Sequence, residues 1–362
     1  MPQLFRAAKL PGIALISLGL AIGQARSGEL ADLANAPKAP WLKAPALKPG
    51  DTIALVAPAG AIRMPALAEY AKNLEKAGYH VSIPRGIDRK SGYLAGTDDE
   101  RAEELNAAIR DPKVRAIFPC QGGYGLTRIV DRIDYEALRK DPKIVIGFSD
   151  LTALHLGIAR HARLITFHSP MPLASLWKID PEHAYALASF NRAIFADQYK
   201  PGETGYVIDL PEKAPRPATL VGGKARGRLT GGNLTLLCST MGTAYAVEPQ
   251  DKILVIEDVH EAPYRIDRSL SQLRLAGVLE GIVGVVAGDF SSSDPKDVAE
   301  FDRILREYFV PLKKPAVMHF PVGHIALNAT LPLGAIAELD ADSGTLRIVE
   351  DPVEVVRASG SK

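Results

Sequence analysis

The sequence predicts an α/β fold, with an N-terminal domain built on a parallel, doubly wound sheet and a C-terminal β-rich α+β domain. Three observations lead there. Between residues 52 and 167 short apolar runs alternate with segments of helical spacing, the pattern of successive βα units. Beyond about residue 217 this gives way to short strands punctuated by paired glycines. The 362 residues also exceed one ordinary domain, and at ~150 residues each they make about two.

The elements follow in order. Residues 52–57 (TIALVA) form a buried strand closed by Pro58-Ala59-Gly60. Residues 65–77 place Leu67, Tyr70, Leu74 and Ala77 on one helical face, with Gly78 as C-cap. Strand 81–83 follows. Thr97 and Glu100 make a capping box ahead of Ala102, Leu105 and Ile109. Strand 114–118 runs through a glycine turn into a helix over 126–133. Strand 143–148 leads to a helix over 150–161, then to strand 163–167. A helix near 181–195 and a proline-rich stretch mark the inter-domain connection, 176–217. The second half carries strands at 253–256, 282–286 and 345–349 and helices at about 268–279 and 295–309. Asp294 caps the last helix ahead of an N1 proline. The two domains thus span 51–175 and 218–352.

The first fifty residues read differently. Arg6 and Lys9 precede an apolar stretch, Gly12–Gly23, and small residues stand at the −3 and −1 positions before a cleavage site near Ala25. This is the layout of a secretory signal, so the protein is expected to be exported, to the periplasm in a double-membraned cell. Residues 26–50 form a leader whose later part holds four prolines and reads as extended rather than as core.

Composition narrows the function. Lys plus Arg total 43 and Asp plus Glu 42, and removal of residues 1–25 leaves 41 and 42. Such balance points away from nucleic acid. No apolar run approaches the ~20 residues of a membrane span. Two cysteines supply neither a disulfide framework nor a four-thiolate zinc site. Both cysteines, Cys120 and Cys238, read as small buried residues. No metal site and no cofactor are expected.

Three loop segments are able to carry chemistry. In Gly147-Phe148-Ser149-Asp150 a serine follows an apolar strand at a sharp turn, the setting of a nucleophile elbow, although Leu151 stands where that pattern has its second glycine. Read locally, Ser149 or Asp150 serves equally well as a helix cap. The Gly122-Gly123-Tyr124-Gly125 loop allows close backbone approach to a ligand, or is a plain tight turn. Glu257-Asp258 ends an apolar strand and His324 lies in a glycine-flanked loop; each alone is ordinary. Together they fit one reaction. Serine needs a base, histidine is that base, and a carboxylate fixes the histidine tautomer.

The sequence resembles the LD-carboxypeptidase family of serine peptidases from about Asp51 to Val349. The stretches that carry the likeness are IALVAPAG (53–60), AGTDDERAEELN (95–106), GGYG (122–125) with IDY (133–135), GFSDLTAL (147–154), FHSPM (167–171), GGNL (231–234), LVIED (254–258), PYR (263–265), Gly323-His324 and LPLG (331–334). The resemblance implies a Ser-Glu-His triad: Ser149 as nucleophile, Glu257 as acid and His324 as base. It also implies an oxyanion hole from the N–H groups of Gly123 and Asp150. Gly122, Tyr124, Gly232 and Asn233 are candidate substrate contacts. The implied reaction removes the terminal D-alanine of a murein tetrapeptide from the L-centre of diaminopimelate, in cell-wall recycling, by a homodimer that needs no metal. Two departures stand out: Gln121 replaces the usual arginine before GGYG, and Ser169 replaces the glycine of an H-G-P segment. Two other functions fit less well. One is a self-immunity amidase of the same family, acting on toxic peptide- or aminoacyl-nucleotides. The other is a periplasmic solute-binding protein, which has no need of a triad.

Overall fold

Five parallel strands carry the first half, and the three at residues 52–56, 114–119 and 144–147 are largely apolar because both faces are covered. The computed structural model describes residues 40–62, 64–172, 181–200, 202–211, 216–291 and 294–355. The expected signal segment and its cleavage position lie outside these residues, as does part of the 176–217 connection.

Numbered in chain order, β1 (Thr52–Val56), β2 (His80–Ser82), β3 (Val114–Pro119), β4 (Ile144–Gly147) and β5 (Thr166–His168) lie side by side as β2-β1-β3-β4-β5, all parallel. The order reverses at β1/β3, and ligands of doubly wound sheets bind outside the C-terminal strand ends at such a point. Helices α1 (Met64–Lys76), α2 (Asp98–Arg110), α3 (Tyr135–Lys140) and α4 (Thr152–Gly157) connect them. The Thr97–Glu100 capping box forms as expected, with Thr97 Oγ1 accepting from the Glu100 N–H.

The expected helix over 126–133 is instead two 3₁₀ turns, Leu126–Arg128 and Val130–Arg132. Side chains hold the backbone there. Asn106 Nδ2 donates to Arg132 O and its Oδ1 accepts from Asp134 N, both at 2.8 Å. Asp134 then caps α3, which the sequence pattern did not announce. The expected helix over 150–161 begins as a 3₁₀ turn, Ser149–Leu151, and ends as a π turn, Ile158–Ala162, closed by left-handed Arg163.

The second sheet is mixed. Its order is β6 (Tyr206–Val207), β14 (Thr345–Ile348), β13 (Ile336–Asp340), β8 (Lys224–Asn233), β9 (Lys252–Val259), β10 (Gly284–Ser291), β11 (Ala316–Met318) and β7 (Ala218–Val221). β8 to β11 run parallel and the outer strands antiparallel. β8 has three cations and three glycines and no apolar run, so periodicity missed it. Its first half alternates exposed cations with buried Ala225 and Gly227, and Lys224 and Arg226 pair across the ladder with Asp340 and Glu338 of β13. Helices α5 (Pro181–Ile194), α6 (Leu234–Thr240), α7 (Pro263–Leu275), α8 (Val278–Gly281) and α9 (Pro295–Phe309) complete the chain. α7 starts five residues before the expected 268, because Pro263 occupies its first turn with a pre-set φ.

Two features tie the sheets together. Strand β12 (Leu331–Leu333), from the C-terminal half, pairs antiparallel with β5 and closes the edge of the first sheet. A single apolar cluster then runs from Ile53, Phe118 and Phe167 to Val255, Val317 and Phe320. Of the stretch expected to be an extended leader, the described residues 40–50 contribute to the core. Ala44 and Leu47 are 1% exposed, and Leu42 bridges to Leu164. The half-buried Trp41 packs beneath Gly334, between the guanidinium groups of Arg163 and Arg228 at 5.0 and 5.5 Å. Prolines here straighten the chain without excluding it from the interior. Cys120 is buried as expected, Cys238 only half-buried, and both are free thiols.

Candidate active site

The loops after β1, β3 and β4 converge at one end of the first sheet. Gly60 N donates to Gly122 O across the switch point. Phe148 is extended and Ser149 follows at φ 62°, a left-handed conformation that is strained for a residue with a side chain. That turn lifts Ser149 out of the strand line. Gly122 lies directly against it: a Cβ there would sit 3.3 Å from Ser149 Cβ and 3.5 Å from Oγ. Glycine at 122 therefore lets this loop approach Ser149 closely. Asp150, 1% exposed, faces the other way. Its Oδ2 accepts from Leu126 N at 2.9 Å and so fastens the Ser149 turn to the end of the GGYG loop. Burial pushes the Asp150 carboxyl up, against the pull of the Leu126 and Gly125 N–H groups. Arg101, fully buried, clamps the loop from behind by donating to Pro58 O and Gly125 O. This gives the AGTDDERAEELN stretch a physical role that its helical pattern did not reveal.

Glu257 and His324, the expected acid and base, come from the second half. Glu257 stands near the end of β9, fully buried, opposite Asn233 of β8. His324 follows β11 in a loop that packs on Glu257. A Cβ on Gly323, at φ 130°, would lie 3.2 Å from Glu257 Cβ, so only glycine lets the histidine arrive there. His324 Nδ1 meets Glu257 Oε2 at 2.7 Å. Burial alone would raise the Glu257 carboxyl, but His168 and His324 beside it outweigh burial and hold it at about 2. An ionised Glu257 accepts, so Nδ1 of His324 carries the proton and Nε2 keeps its lone pair. The His324 ring is 18% exposed and lies 4.8 Å, centroid to centroid, from the ring of Phe148, the residue before Ser149. Ser149 Oγ and His324 Nε2 make no hydrogen bond among the described residues. Such bonds often tighten only when substrate is bound.

The remaining candidates divide. Gly123 and Tyr124 are exposed, and Tyr124 rests against the exposed Tyr93 with ring centroids 5.8 Å apart. Asn233, expected as a substrate contact, is 3% exposed and spends its side chain inside the protein. Its Oδ1 caps α6 and its Nδ2 donates to Asp258. Gly232 packs on Thr152, whose Oγ1 accepts from Asn233 N. Both therefore tie β8 to α4, beside Glu257. Gln121 Nε2 donates to Ala61 O, keeping its side chain within its own loop layer. Ser169 Oγ lies 3.3 Å from Thr330 Oγ1 and donates to Pro170 O. No group of three metal-ligating side chains occurs among the described residues, and no helix among them is long and apolar enough to cross a membrane.

Residues 53–169 match the LD-carboxypeptidase N-terminal domain and residues 226–339 the LD-carboxypeptidase C-terminal domain. The chain is 36% identical over 307 residues to a probable murein peptide carboxypeptidase of Bacillus subtilis, covering 84% of this chain and 93% of that one. It is 33% identical over 302 residues to the murein tetrapeptide carboxypeptidase of Pseudomonas aeruginosa, covering 80% and 93%. Among solved structures, the microcin C7 self-immunity protein MccF in complex with aspartyl sulfamoyl adenosine superimposes with a TM-score of 0.76 at 26% identity, covering 86% of this chain and 100% of that one. A strained serine turn, a buried Glu–His pair and two matched domains together make this chain a hydrolase belonging to the LD-carboxypeptidase family.

Proposed function

We propose that the protein is an exported serine LD-carboxypeptidase that releases the terminal D-alanine of murein tetrapeptides. The observation that carries this reading is the buried Glu257–His324 pair at 2.7 Å, set beside the left-handed turn of Ser149. In this reading His324 Nε2 takes the Ser149 proton as Oγ attacks the carbonyl carbon before D-alanine. The negative charge that forms on the carbonyl oxygen is met by the N–H groups of Gly123 and Asp150. Collapse of the tetrahedral intermediate passes the proton from His324 to the departing amine, leaving an acyl-enzyme. Water, activated by the same histidine, then frees the tripeptide carboxylate. Glu257 holds the tautomer and balances the imidazolium in both halves. The named murein carboxypeptidases among its relatives support the substrate, and the apolar stretch 12–23 supports export.

The decisive experiment is mass spectrometry of defined muropeptides incubated with the purified chain. Loss of one alanine from tetrapeptide, absent with Ser149→Ala, is the expected result; an unchanged tetrapeptide overturns it. The likeness to MccF bound to aspartyl sulfamoyl adenosine favours a second reading, cleavage of an aminoacyl-nucleotide. Hydrolysis of that compound with no action on tetrapeptide would select it.

A further inference from the structure

Behind Glu257 lies a second histidine that the triad does not use. His168 ends β5 and is 0% exposed, and neither of its ring nitrogens has a hydrogen-bond partner. Its Nε2 lies 3.9 Å from Glu257 Oε1. That oxygen is also buried and also lacks a partner, because His324 takes only Oε2. A buried carboxylate oxygen left bare is costly, and so is a buried imidazole N–H that donates to nothing. The two facing groups answer each other's deficit. The sheet register makes the placement firm. His168 pairs with Gly147 across β4–β5, one residue before Phe148. The Phe148 ring then walls both histidines, with centroids 5.9 Å from His168 and 4.8 Å from His324. A neighbouring buried histidine, His155, is committed elsewhere, since its Nε2–H donates to Gly147 O at 2.8 Å.

We propose that His168 is a positioning residue: it carries its proton on Nε2, presents that N–H to Glu257 Oε1, and thereby keeps Oε2 for His324. A carboxylate held at one oxygen alone is able to rotate about its last bond and offer either oxygen to the base. A donor on the far side removes that freedom, so His324 keeps one tautomer and one ring orientation. The gap of 3.9 Å exceeds a hydrogen bond by about 1 Å. It closes by a small swing of either side chain as positive charge develops on His324 and draws the carboxylate taut. A buried donor to an ionised group is of the stronger kind. This role rests on the serine-hydrolase reading but not on the identity of the substrate.

The experiment therefore reads Ser149 directly, as the rate at which a fluorophosphonate probe labels the purified chain. His168→Phe keeps a ring and loses the donor, and labelling is expected to slow about ten- to a hundredfold. His168→Gln returns an N–H at similar reach and is expected to restore most of the rate. Tetrapeptide turnover, where measured, falls in kcat with KM little changed. Wild-type labelling speed in folded His168→Phe, or equal slowing in both variants, overturns the proposal alone. No labelling of the wild type overturns the serine-hydrolase reading and this proposal with it. If His168→Phe does not fold, nitrogen-15 NMR of the wild-type histidines decides: an Nε2–H tautomer at His168 is expected, and an Nδ1–H tautomer refutes it.

Discussion

Ser149, His324 and Glu257 are unequal in what they stand to lose. Ser149→Ala and His324→Ala each remove a group that handles the reacting atoms, and turnover should fall by about 10⁴–10⁶. Glu257→Gln keeps the shape but allows the wrong tautomer, so a loss of about 10⁴ in kcat with little change in KM is expected. Thermal melts of Ser149→Ala and His324→Ala should match wild type, and activity retained in either would refute the triad. Gly122→Ala tests the proposed oxyanion loop. The new methyl would crowd Ser149 at 3.3–3.5 Å, so tetrapeptide kcat should drop at least about tenfold while the melt changes little, since a shift of a few tenths of an ångström relieves the contact. Ser149, Glu257 and His324 could be singled out because each sits in a short stretch with its own residue order, and folding brings Glu257 and His324 into contact. Arg101 and His168 could not be singled out. Each looks like an unremarkable member of a helix or strand until folding places it behind a loop or a carboxylate.

Among the elements, α4 shows how a site taxes its scaffold. It buries His155 completely beneath Gly147, and burial, aided by His168, lowers that imidazole to about 4 from 6.5 despite the bond to Gly147 O. The unfolded chain thus takes a proton at His155 before the folded chain does, so stability falls as pH drops from 6.5 towards 4. The contribution is roughly 3 kcal/mol at its limit. Glu257, held at about 2, weakens the fold only in a lower window, from 4.5 downwards. Denaturant melts at a series of pH values should therefore give a steeper acid loss for wild type than for His155→Gln, and parallel curves would contradict this. The same region marks the limits of pattern reading. Apolar runs announced β1, β3 and β4, where both faces are covered. They missed β8, whose identity depends on alternation and on partners in β13, and they missed the broken helices after Gly125 and Ser149, where side chains from other elements fix the backbone.

At the scale of the molecule, the contacts from Trp41 onward gather into one compact unit, although Ser149 follows a strand of one sheet and Glu257 and His324 belong to the strands and loops of the other. Strand β12 is the reason for much of this, since it leaves the second half to pair Leu331 with His168 and Leu333 with Thr166. Calorimetry should therefore show one unfolding transition for the intact chain, and a fragment of residues 41–217, with the β5 edge bare, should aggregate or fail to fold. Two resolved transitions, or a folded and monomeric fragment, would contradict it. Sequence spacing alone does not reveal such a crossing, because β12 has only three residues and Leu331 pairs with His168, far earlier in the chain.

Trp41 offers an optical use of the architecture. The chain has two tryptophans, and this one is clasped between Arg163 of the first half and Arg228 of the second, over Gly334 at the β12–β13 corner. With Trp177 changed to Phe, all indole emission would originate at that seam. Its colour and quenching would then report, without any attached dye, whether the entering chain is seated and whether the two sheets are still joined.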